Sequence, residues 1–406
     1  MKRKWLWGTI VVFILILATA GATVGDTAEP EIKSLSLAQA VEMAMKDNLQ
    51  VELAALGLEQ AELTLEQAKS AARKASKQIG IEIPNMAGGI STIRKDQNMA
   101  LAIDVIPVQA ESGKIIAETG KAYTENVIKF GVEAAYYGVL RAEKMLEVSE
   151  ASLIRAKEQL KQAEAKFKAG TVAKMEVISA EAQLKSAEAG VNEAKAGVEK
   201  ARMALNQTLN LNLNTPMELT DKFSFAPAGD IDTDKVFQEM TEKDSSYVLA
   251  REKYNINKVN FDYHQKYFTK NTFAYREAEY AFKESEVNLE HAKTQLQLNI
   301  KNAYMDLKTA EDNYHVLTKS VEQAKEAYRL TKLRYDVGMA TGYDLLGAET
   351  ALKQADMALL NALYNYNLAK AKFTYGIFGD ASAGSSQKQL SSSAAQAASG
   401  EMPSGM

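Results

Sequence analysis

The chain carries the same sequence pattern twice, and a tandem duplication constrains its fold more strongly than any single motif. The stretch Lys166–Glu188 returns 168 positions later as Arg334–Asp356, and six of the 23 aligned positions are identical. The identical pairs are Gly170/Gly338, Ala180/Ala348, Glu181/Glu349, Leu184/Leu352, Lys185/Lys353 and Ala187/Ala355. The sequence therefore predicts two similar structural units.

Behind each repeated glycine, apolar residues recur every seven positions. The first copy has Val177, Leu184, Val191, Val198 and Leu205, with a second series at Ala180, Ala187, Ala194 and Ala201. The second copy has Leu345, Leu352, Leu359, Tyr366 and Phe373, with Ala348, Ala355, Ala362 and Ala369. Two apolar positions per heptad are typical of a coiled-coil seam, whereas the alternative, a generic surface helix, has a broader stripe. The predicted fold class is mainly α, with long antiparallel coiled-coil helices in two tandem repeats.

Composition excludes several kinds of chemistry. The 406 residues include six prolines and no cysteine, so there is no disulfide, thiolate metal site or cysteine nucleophile. The formal charge of −4 does not indicate a nucleic-acid-binding face. His264, His291 and His315 lack metal-ligand spacing, and no phosphate loop or nucleophile elbow occurs. We therefore expect no enzyme activity and no metal or cofactor.

The amino terminus has the pattern of an export signal. Lys2-Arg3-Lys4 precede an apolar run from Trp5 to Leu17, and small residues follow at Ala18–Ala22. The apolar run is shorter than the roughly 20 residues of a membrane-spanning helix, so cleavage is favoured over the alternative, an uncleaved anchor. The predicted organisation is a signal (1–22), repeat 1 (33–211), a linker (212–231), repeat 2 (232–379) and a disordered tail (380–406).

Repeat 1 is predicted to hold four helices and one segment with strand character. A capping box at Ser36 and Gln39 begins the first helix, and further helices are predicted at 48–76, 113–169 and 172–209. Between them, Ile79, Ile81 and Ile83 alternate before Pro84, and a second apolar run, 101–106, precedes Pro107. Alternation bounded by proline and glycine predicts a short two-stranded hairpin within 79–108.

Repeat 2 lacks about 29 residues where repeat 1 has this hairpin, because the copies align at an offset of 197 before the gap and 168 after it. Aromatic residues spaced by seven stand there instead: Tyr247, Tyr254, Phe261, Phe268, Tyr275 and Phe282. That spacing is helical, and we interpret these residues as packing positions rather than a ligand site. A chain reversal is predicted near Thr269–Thr272, with one unbroken helix as the alternative. Two short helices stacked end to end beside one long helix would give four columns per chain, whose uncovered seams predict self-association.

With these elements in hand, the chain resembles the TolC family of outer-membrane efflux proteins. The matching elements are the opening LSLAQAVEMAMKDNLQVELA, the two (K/R)(F/Y)xxG segments, the alanine-seamed return helices and the duplication itself, over residues 33–379. The resemblance implies a homotrimer whose twelve helical columns form a tunnel, located at the outer membrane and periplasm of the cell envelope. It also implies a periplasmic adaptor that connects the helix tips to an inner-membrane pump, and export of small molecules or proteins.

Site residues follow from the resemblance by position. The expected adaptor-binding tip consists of Lys166, Phe167, Gly170, Thr171, Arg334, Tyr335, Gly338 and Met339. The expected pore or gate residues are Glu176, Asp336 and Asp344, since acidic groups near a narrow pore bias it toward cations. The alternative is that the glycines only end helices and the aromatic residues only fill space.

The sequence departs from the family in the region of the membrane barrel. Repeat 1 offers at most two short strands and repeat 2 none, whereas a membrane-spanning strand needs about 9–11 residues. This predicts a reduced family member in which tunnel and tips are retained. Two function classes stay open: a trimeric exit duct, and an exported coiled-coil scaffold that binds envelope partners without conducting anything.

Overall fold

The computed structural model describes residues 33–46, 48–84 and 89–378. The predicted signal and tail lie outside these ranges. The helices are α1 (Leu37–Lys46), α2 (Leu49–Gln78), α3 (Gln97–Ala100), α4 (Ile106–Lys168), α5 (Lys174–Thr208), α6 (Thr233–Met240), α7 (Ser245–Tyr267), α8 (Phe273–Asp336) and α9 (Gly342–Tyr375). The strands are β1 (Lys33–Leu35), β2 (Glu82–Pro84), β3 (Ile90–Thr92) and β4 (Met217–Leu219).

Each repeat places two shorter helices beside one long helix, as the predicted lengths require. α2 and α5 pack along α4, and α7 and α9 pack along α8. With 63 residues, α4 is roughly 95 Å long at the α-helical rise. The two repeats join through α4, which also contacts α7 and α9. The predicted fold class, mainly α with antiparallel coiled-coil helices in two repeats, is confirmed.

Local start and stop signals locate most helix ends. Ser36 and Gln39 form the predicted capping box, with the Gln39 amide 3.3 Å from Ser36 Oγ and the Ser36 amide 3.0 Å from Gln39 Oε1. The predicted reversal is also confirmed: α7 ends at Tyr267, and Thr272 caps α8 by accepting from the Tyr275 amide. Short polar side chains at these positions satisfy amides that the first helical turn leaves without partners.

The aromatic heptads of repeat 2 pack against each other across α7 and α8. The rings of Phe261 and Phe282 stack with centroids 5.5 Å apart and planes at 10°. Tyr254 lies 5.5 Å from Phe282, and Tyr275 lies 5.6 Å from Phe261. Offset and edge contacts of this kind add to the area that aromatic rings bury, so the interpretation as packing residues is confirmed.

The prediction of a strand at 101–106 was wrong. Residues Leu101–Val105 form a π-helical turn between α3 and α4, and β2 pairs instead with β3, in antiparallel register with Glu82 opposite Thr92. Ala100 and Val105 are fully buried beside Tyr263 of α7. A short apolar run suits a buried helix and a strand equally, and packing on α7 decides for the helix. The long helix consequently begins at Ile106 rather than Gly113, with Pro107 in its first turn, where a missing amide does no harm.

Repeat 1 is anchored to the segment between the repeats by a pairing that the sequence did not reveal. β1 pairs in parallel with β4, Lys33 opposite Met217, so the predicted linker holds a strand. Beneath them, the Tyr136 hydroxyl lies 2.9 Å from the Leu35 carbonyl and 2.7 Å from Asp221 Oδ2. Burial, then the bond to Asp221, raises the pKa of Tyr136 to about 12. Leu35, Tyr136 and Met217 belong to the main buried cluster, which also joins α1, α4 and α5.

Within the described part of the chain, no helix is both long enough and apolar enough to cross a membrane.

Candidate functional site at the helix tips

Both helix-hairpin tips close through the same backbone turn. Gly170 (φ 73°) follows α4 and Gly338 (φ 78°) follows α8, and this left-handed conformation favours glycine. The Thr171 amide donates to the Lys166 carbonyl at 2.9 Å, and the Met339 amide donates to the Arg334 carbonyl at 2.8 Å. Each glycine amide donates to the residue three positions back. Two Schellman motifs therefore end the two long helices, and the repeated glycines are explained by backbone geometry.

The two tips contact each other through Lys166 and Tyr335. Lys166 Nζ donates to the Tyr335 carbonyl at 2.7 Å and lies 3.7 Å from the centroid of its ring. Tyr335 is only 4% exposed, whereas Phe167, at the matching position of the first tip, is 43% exposed. Burial raises the pKa of Tyr335, with smaller contributions from Glu176 and Asp336.

Glu176 forms a second bridge between the tips. Its Oε1 accepts the Gly342 amide at 2.8 Å, so a side chain from the first turn of α5 satisfies an open amide at the start of α9. A Cβ at position 342 would overlap this carboxylate oxygen. A side chain at position 342 would therefore displace the Glu176 carboxylate from the Gly342 amide, which it caps.

Asp344, at the position matching Glu176, caps its own helix instead of bridging the two tips. Its Oδ2 accepts from the Thr341 amide at 2.9 Å and from the Thr341 hydroxyl at 2.7 Å, while the Asp344 amide donates back to that hydroxyl. These bonds from Thr341 lower the pKa of Asp344. At the first tip the matching cap residue is Ala173, which makes no side-chain cap. The second tip is thus closed by two carboxylates and the first by neither.

The structure brings only some of the predicted site residues together. Lys166, Glu176 and Tyr335 converge between the tips, and the Thr171 hydroxyl donates to the Lys166 carbonyl. The others lie at the surface of the two turns: Phe167, Gly170, Arg334, Asp336, Gly338, Met339 and Asp344.

Sequence reasoning missed part of the exposed apolar surface at the tips. Met175 is 71% and Tyr343 80% exposed, at matching positions of the two repeats, and Val337 is 70% exposed beside the predicted Met339 at 80%. The repeat alignment pairs Met175 with Tyr343 two residues after the cap position, a signal that could have identified them. Large apolar side chains concentrated at such an exposed end are typical of an interaction surface.

A buried carboxylate behind the tips was also missed. Glu349 of α9 is 1% exposed and accepts from Ser152 Oγ at 3.1 Å, Arg155 Nε at 3.2 Å and Gln159 Nε2 at 2.8 Å, all on α4. Its counterpart Glu181 is exposed on α5. The identity of the two residues was visible in the alignment, but their different burial was not.

A model of the outer membrane efflux protein family matches residues 129–211 and 249–374, which is just over half of the chain. The chain belongs to the outer membrane efflux protein family. The two matched segments contain both tips and all of α5, α8 and the Glu349 contacts, so the resemblance drawn from the sequence is confirmed. Membership places the chain in the cell envelope as an efflux channel protein rather than an enzyme.

Solved structures show the same fold at low sequence identity. The CmeC outer membrane channel of Campylobacter jejuni aligns with a TM-score of 0.58 and 18% identity, over 91% of this chain and 90% of that chain. VceC of Vibrio cholerae aligns with a TM-score of 0.59 and 17% identity, over 84% and 95%. CusC aligns with a TM-score of 0.64 and 12% identity, over 88% and 96%. A search of curated protein sequences found no match.

Proposed function

We propose that the chain is the protomer of a homotrimeric exit duct whose tips dock a periplasmic adaptor and, through it, an inner-membrane pump. Small molecules or proteins would leave through the tunnel between the helical columns. The proposal rests on one packing arrangement, which we call the seam. Repeat 2 packs against repeat 1 within the chain, while the corresponding surfaces on the outer faces of the two repeats stay uncovered.

The filled seam joins the two repeats. α7 and α9 of repeat 2 lie against α4 of repeat 1. In the repeat alignment, α2 and α5 correspond to α7 and α9, and α8 corresponds to α4. The same packing would therefore place α2 and α5 against an α8 helix. Within the described residues α8 makes no extended contact with α2 or α5, so this chain leaves that second contact unmade. A second copy can make it by repeating the same packing.

The open faces have the composition that such a contact needs. Exposed leucines of α2 follow coiled-coil spacing: Leu49, Leu53, Leu56 and Leu63, each more than half exposed. Exposed apolar residues also run along α8: Val287, Leu298, Met305, Val316, Leu330 and Leu333. Surfaces of this extent are uncommon on proteins that work as monomers.

The outer faces of the two repeats carry residues that correspond to the two sides of the Glu349 contact. Glu181 is exposed on α5, and the α8 positions that match Ser152 and Arg155 are Ser320 and Gln323. Gln323 is exposed and offers its side-chain amide, while the Ser320 hydroxyl donates to the Val316 carbonyl at 3.2 Å within α8. We expect Glu181 of one copy to bond there on the next, in the register that Glu349 has within the chain.

At the tips, we assign adaptor contact to side chains on the outer surface of the turns, and closure of the tunnel to the side chains that bond from one tip to the other. Phe167, Thr171, Arg334 and Met339 would meet the adaptor, on turns set by Gly170 and Gly338. Lys166, Tyr335 and Glu176 would hold the tips together. Asp336 and Asp344 would supply negative charge at the narrow end of the tunnel, where carboxylates favour the passage of cations.

The first test is the native mass of the exported protein in mild detergent, with the detergent contribution separated. We expect a trimer for the wild type and smaller species for Leu53→Ser/Leu56→Ser. Leu213→Ser, a half-exposed leucine outside the seam, is the matched control and should remain trimeric. A wild-type monomer that also conducts no ions in a bilayer would contradict the duct and favour the exported scaffold.

Adaptor docking is tested separately with Phe167→Ser/Met339→Ser. Both side chains are exposed, so their replacement should leave the trimer intact. We expect weaker binding of the adaptor at an unchanged oligomeric mass. Equal adaptor binding by the variant and the wild type would remove the tips from the interface.

A further inference from the structure

A small cavity lies between the two tips and is lined by residues from all four of their helices. Five polar side chains face it: Gln159 of α4, Glu176, Ser179 and Gln183 of α5, and Tyr335 of α8. The rest of its lining is apolar or backbone, mostly from α9. The cavity has about 20 Å³ of space for the centre of a water-sized group, which is room for one water molecule or one small ion.

The Tyr335 hydroxyl reaches this cavity without a partner. Tyr335 is only 4% exposed, and its hydroxyl makes no hydrogen bond to any of the described residues. Burial raises the pKa of Tyr335, and the charge of Glu176 raises it further, so that carboxylate acts on the hydroxyl. A buried hydroxyl left without a partner is costly, which indicates that something else bonds to it.

The other polar side chains of the lining also keep oxygen atoms free. Glu176 uses Oε1 to accept the Gly342 amide, and its Oε2 accepts from no described residue. Gln159 donates its amide nitrogen to a carboxylate of α9, so its carbonyl oxygen remains available. Ser179 and Gln183 make no side-chain hydrogen bond within the described part of the chain. Five side-chain oxygens from three helices are therefore available to a ligand.

The charge around the cavity is negative. Glu176 is the one ionisable acid in the lining, and no lysine, arginine or histidine accompanies it there. The Lys166 ammonium is bonded to the Tyr335 carbonyl, not to Glu176. A water molecule would fit the space but would leave the charge of Glu176 uncompensated, whereas a cation would balance it.

The ligand set suits a singly charged ion. Within the described ranges, no group of three or more histidines or carboxylates could hold a metal, and a hard divalent cation takes six or more oxygens with several carboxylates among them. One carboxylate with neutral oxygens matches a single positive charge. The expectation of no metal, drawn from the sequence, concerned the ligands of transition metals and does not cover a site of this kind.

We propose that this cavity binds a dehydrated monovalent cation of about the size of potassium. Its ligands would be Glu176 Oε2, the Tyr335 hydroxyl and the side-chain oxygens of Gln159, Ser179 and Gln183, which replace water as carbonyl oxygens do in potassium channels. Ser179 is exposed, so a cation can enter from its side. The bound ion would link α4 and α5 to α8 and so stabilise the packing of the two tips. The site goes beyond the proposed function and does not depend on it, since one chain supplies every ligand.

The first test is thermal unfolding of the exported chain in potassium, sodium or N-methylglucamine chloride at equal ionic strength, which keeps screening constant. N-methylglucamine is too large for the cavity. We expect potassium to raise the unfolding midpoint with a saturating dependence on its concentration, because a ligand that binds only the folded state stabilises it. Sodium should raise the midpoint less.

Two variants assign the effect to the cavity. Glu176→Gln should abolish the response to potassium, and its amide oxygen can still accept the Gly342 amide, so the helix cap is kept. Tyr335→Phe keeps the ring beside Lys166 but removes the hydroxyl, and should lower the apparent affinity for potassium about tenfold. Glu164→Gln is the matched control, since Glu164 is an exposed carboxylate near the first tip that does not line the cavity. It should respond to potassium like the wild type.

Crystals grown with thallium acetate locate the ion. Thallium(I) has the charge and nearly the radius of potassium and scatters X-rays anomalously. We expect an anomalous peak between Glu176 and Tyr335 in the wild type and none in Glu176→Gln. A wild-type cavity that holds only a solvent oxygen, or thallium bound only elsewhere on the surface, would overturn the proposal.

The remaining outcomes separate the cation site from the duct. Equal unfolding midpoints in the three salts, or a Glu176→Gln variant that responds to potassium as the wild type does, overturn the site and leave a trimeric mass unaffected. A monomer that is stabilised by potassium through Glu176 supports the site while the duct fails.

Discussion

The two copies of the repeat share a backbone at their tips but use their side chains differently. Both long helices end in a Schellman motif at a left-handed glycine. In repeat 2 the turn is closed by Thr341, Asp344 and Glu176, whereas the matching cap in repeat 1 is Ala173. The backbone turn is therefore the same in both copies, whereas side-chain caps close only the second tip, and Glu176 of the first tip supplies one of them.

The same contrast holds behind the tips. Glu349 is buried among three donors of α4, while its identical counterpart Glu181 is exposed. The packing surface between the two repeats is filled, whereas the corresponding surface on the outer face of repeat 1 is uncovered. The comparison predicts that matched substitutions in the two repeats have unequal effects wherever a side chain reaches the other repeat, and equal effects wherever only the local backbone is involved.

The largest inequality is expected for Glu349→Ala against Glu181→Ala. Removing Glu349 leaves the partly buried Arg155 without its carboxylate, and breaking such a pair costs about 3 kcal/mol. Glu181→Ala should change the free energy of unfolding of the monomer by less than about 0.5 kcal/mol. Denaturant unfolding of both variants at a concentration where the protein is monomeric checks this. Equal losses would mean that the two seams are not distinct.

Gly170→Ala and Gly338→Ala should have nearly equal effects. Both positions have positive φ, and a Cβ at either meets no atom within 4 Å, so the penalty is conformational. An L-residue in this conformation costs about 1–2 kcal/mol. Thermal unfolding of the two variants measures it. A clearly larger loss at one glycine would show that the tips differ in backbone as well as side chains.

Capping should be lost in one tip and gained in the other. Thr341→Ala removes a cap that bonds Asp344, and such a loss costs about 1 kcal/mol. Ala173→Ser introduces a cap where none exists and should stabilise the protein by a similar or smaller amount. Unfolding midpoints of the two single variants and of the double variant test whether the effects offset. A neutral Ala173→Ser would indicate that the first turn of α5 has no accessible amide.

The smallest expected effect is a dependence on acid. The bonds from Thr341 lower the pKa of Asp344 in the folded state, so the folded state favours the ionised form. Its contribution is therefore present above the ordinary pKa of a free aspartate and disappears as the pH falls through the lowered value. Asp344→Asn should weaken this part of the pH dependence between about pH 2 and 5. Unfolding midpoints measured across that range for variant and wild type would reveal it, and identical slopes would contradict it.

The successes and failures of sequence reasoning divide along the range of the interactions involved. The tip glycines, the Ser36–Gln39 capping box and the reversal before Phe273 were predictable because each depends on a few neighbouring residues. The run at 101–106 was assigned to a strand because its apolar spacing fits two structures, and only contact with Tyr263 distinguishes them. The pairing of Lys33 with Met217 joins residues far apart in the chain, and three-residue strands carry too little pattern to reveal it.

The residues alone were enough to predict the resemblance to the family, the two repeats, the long helices and the positions of the tip turns, because heptads, caps and glycines act within one or two helical turns. The tertiary structure alone decided which of two identical glutamates is buried, which of two matched aromatic residues is covered, and where Glu176 finds its partner. Identical residues in the two repeats face different neighbours, since repeat 2 lies against repeat 1 while the outer face of repeat 1 stays open. Burial depends on that neighbour, and the sequence of one repeat does not contain it.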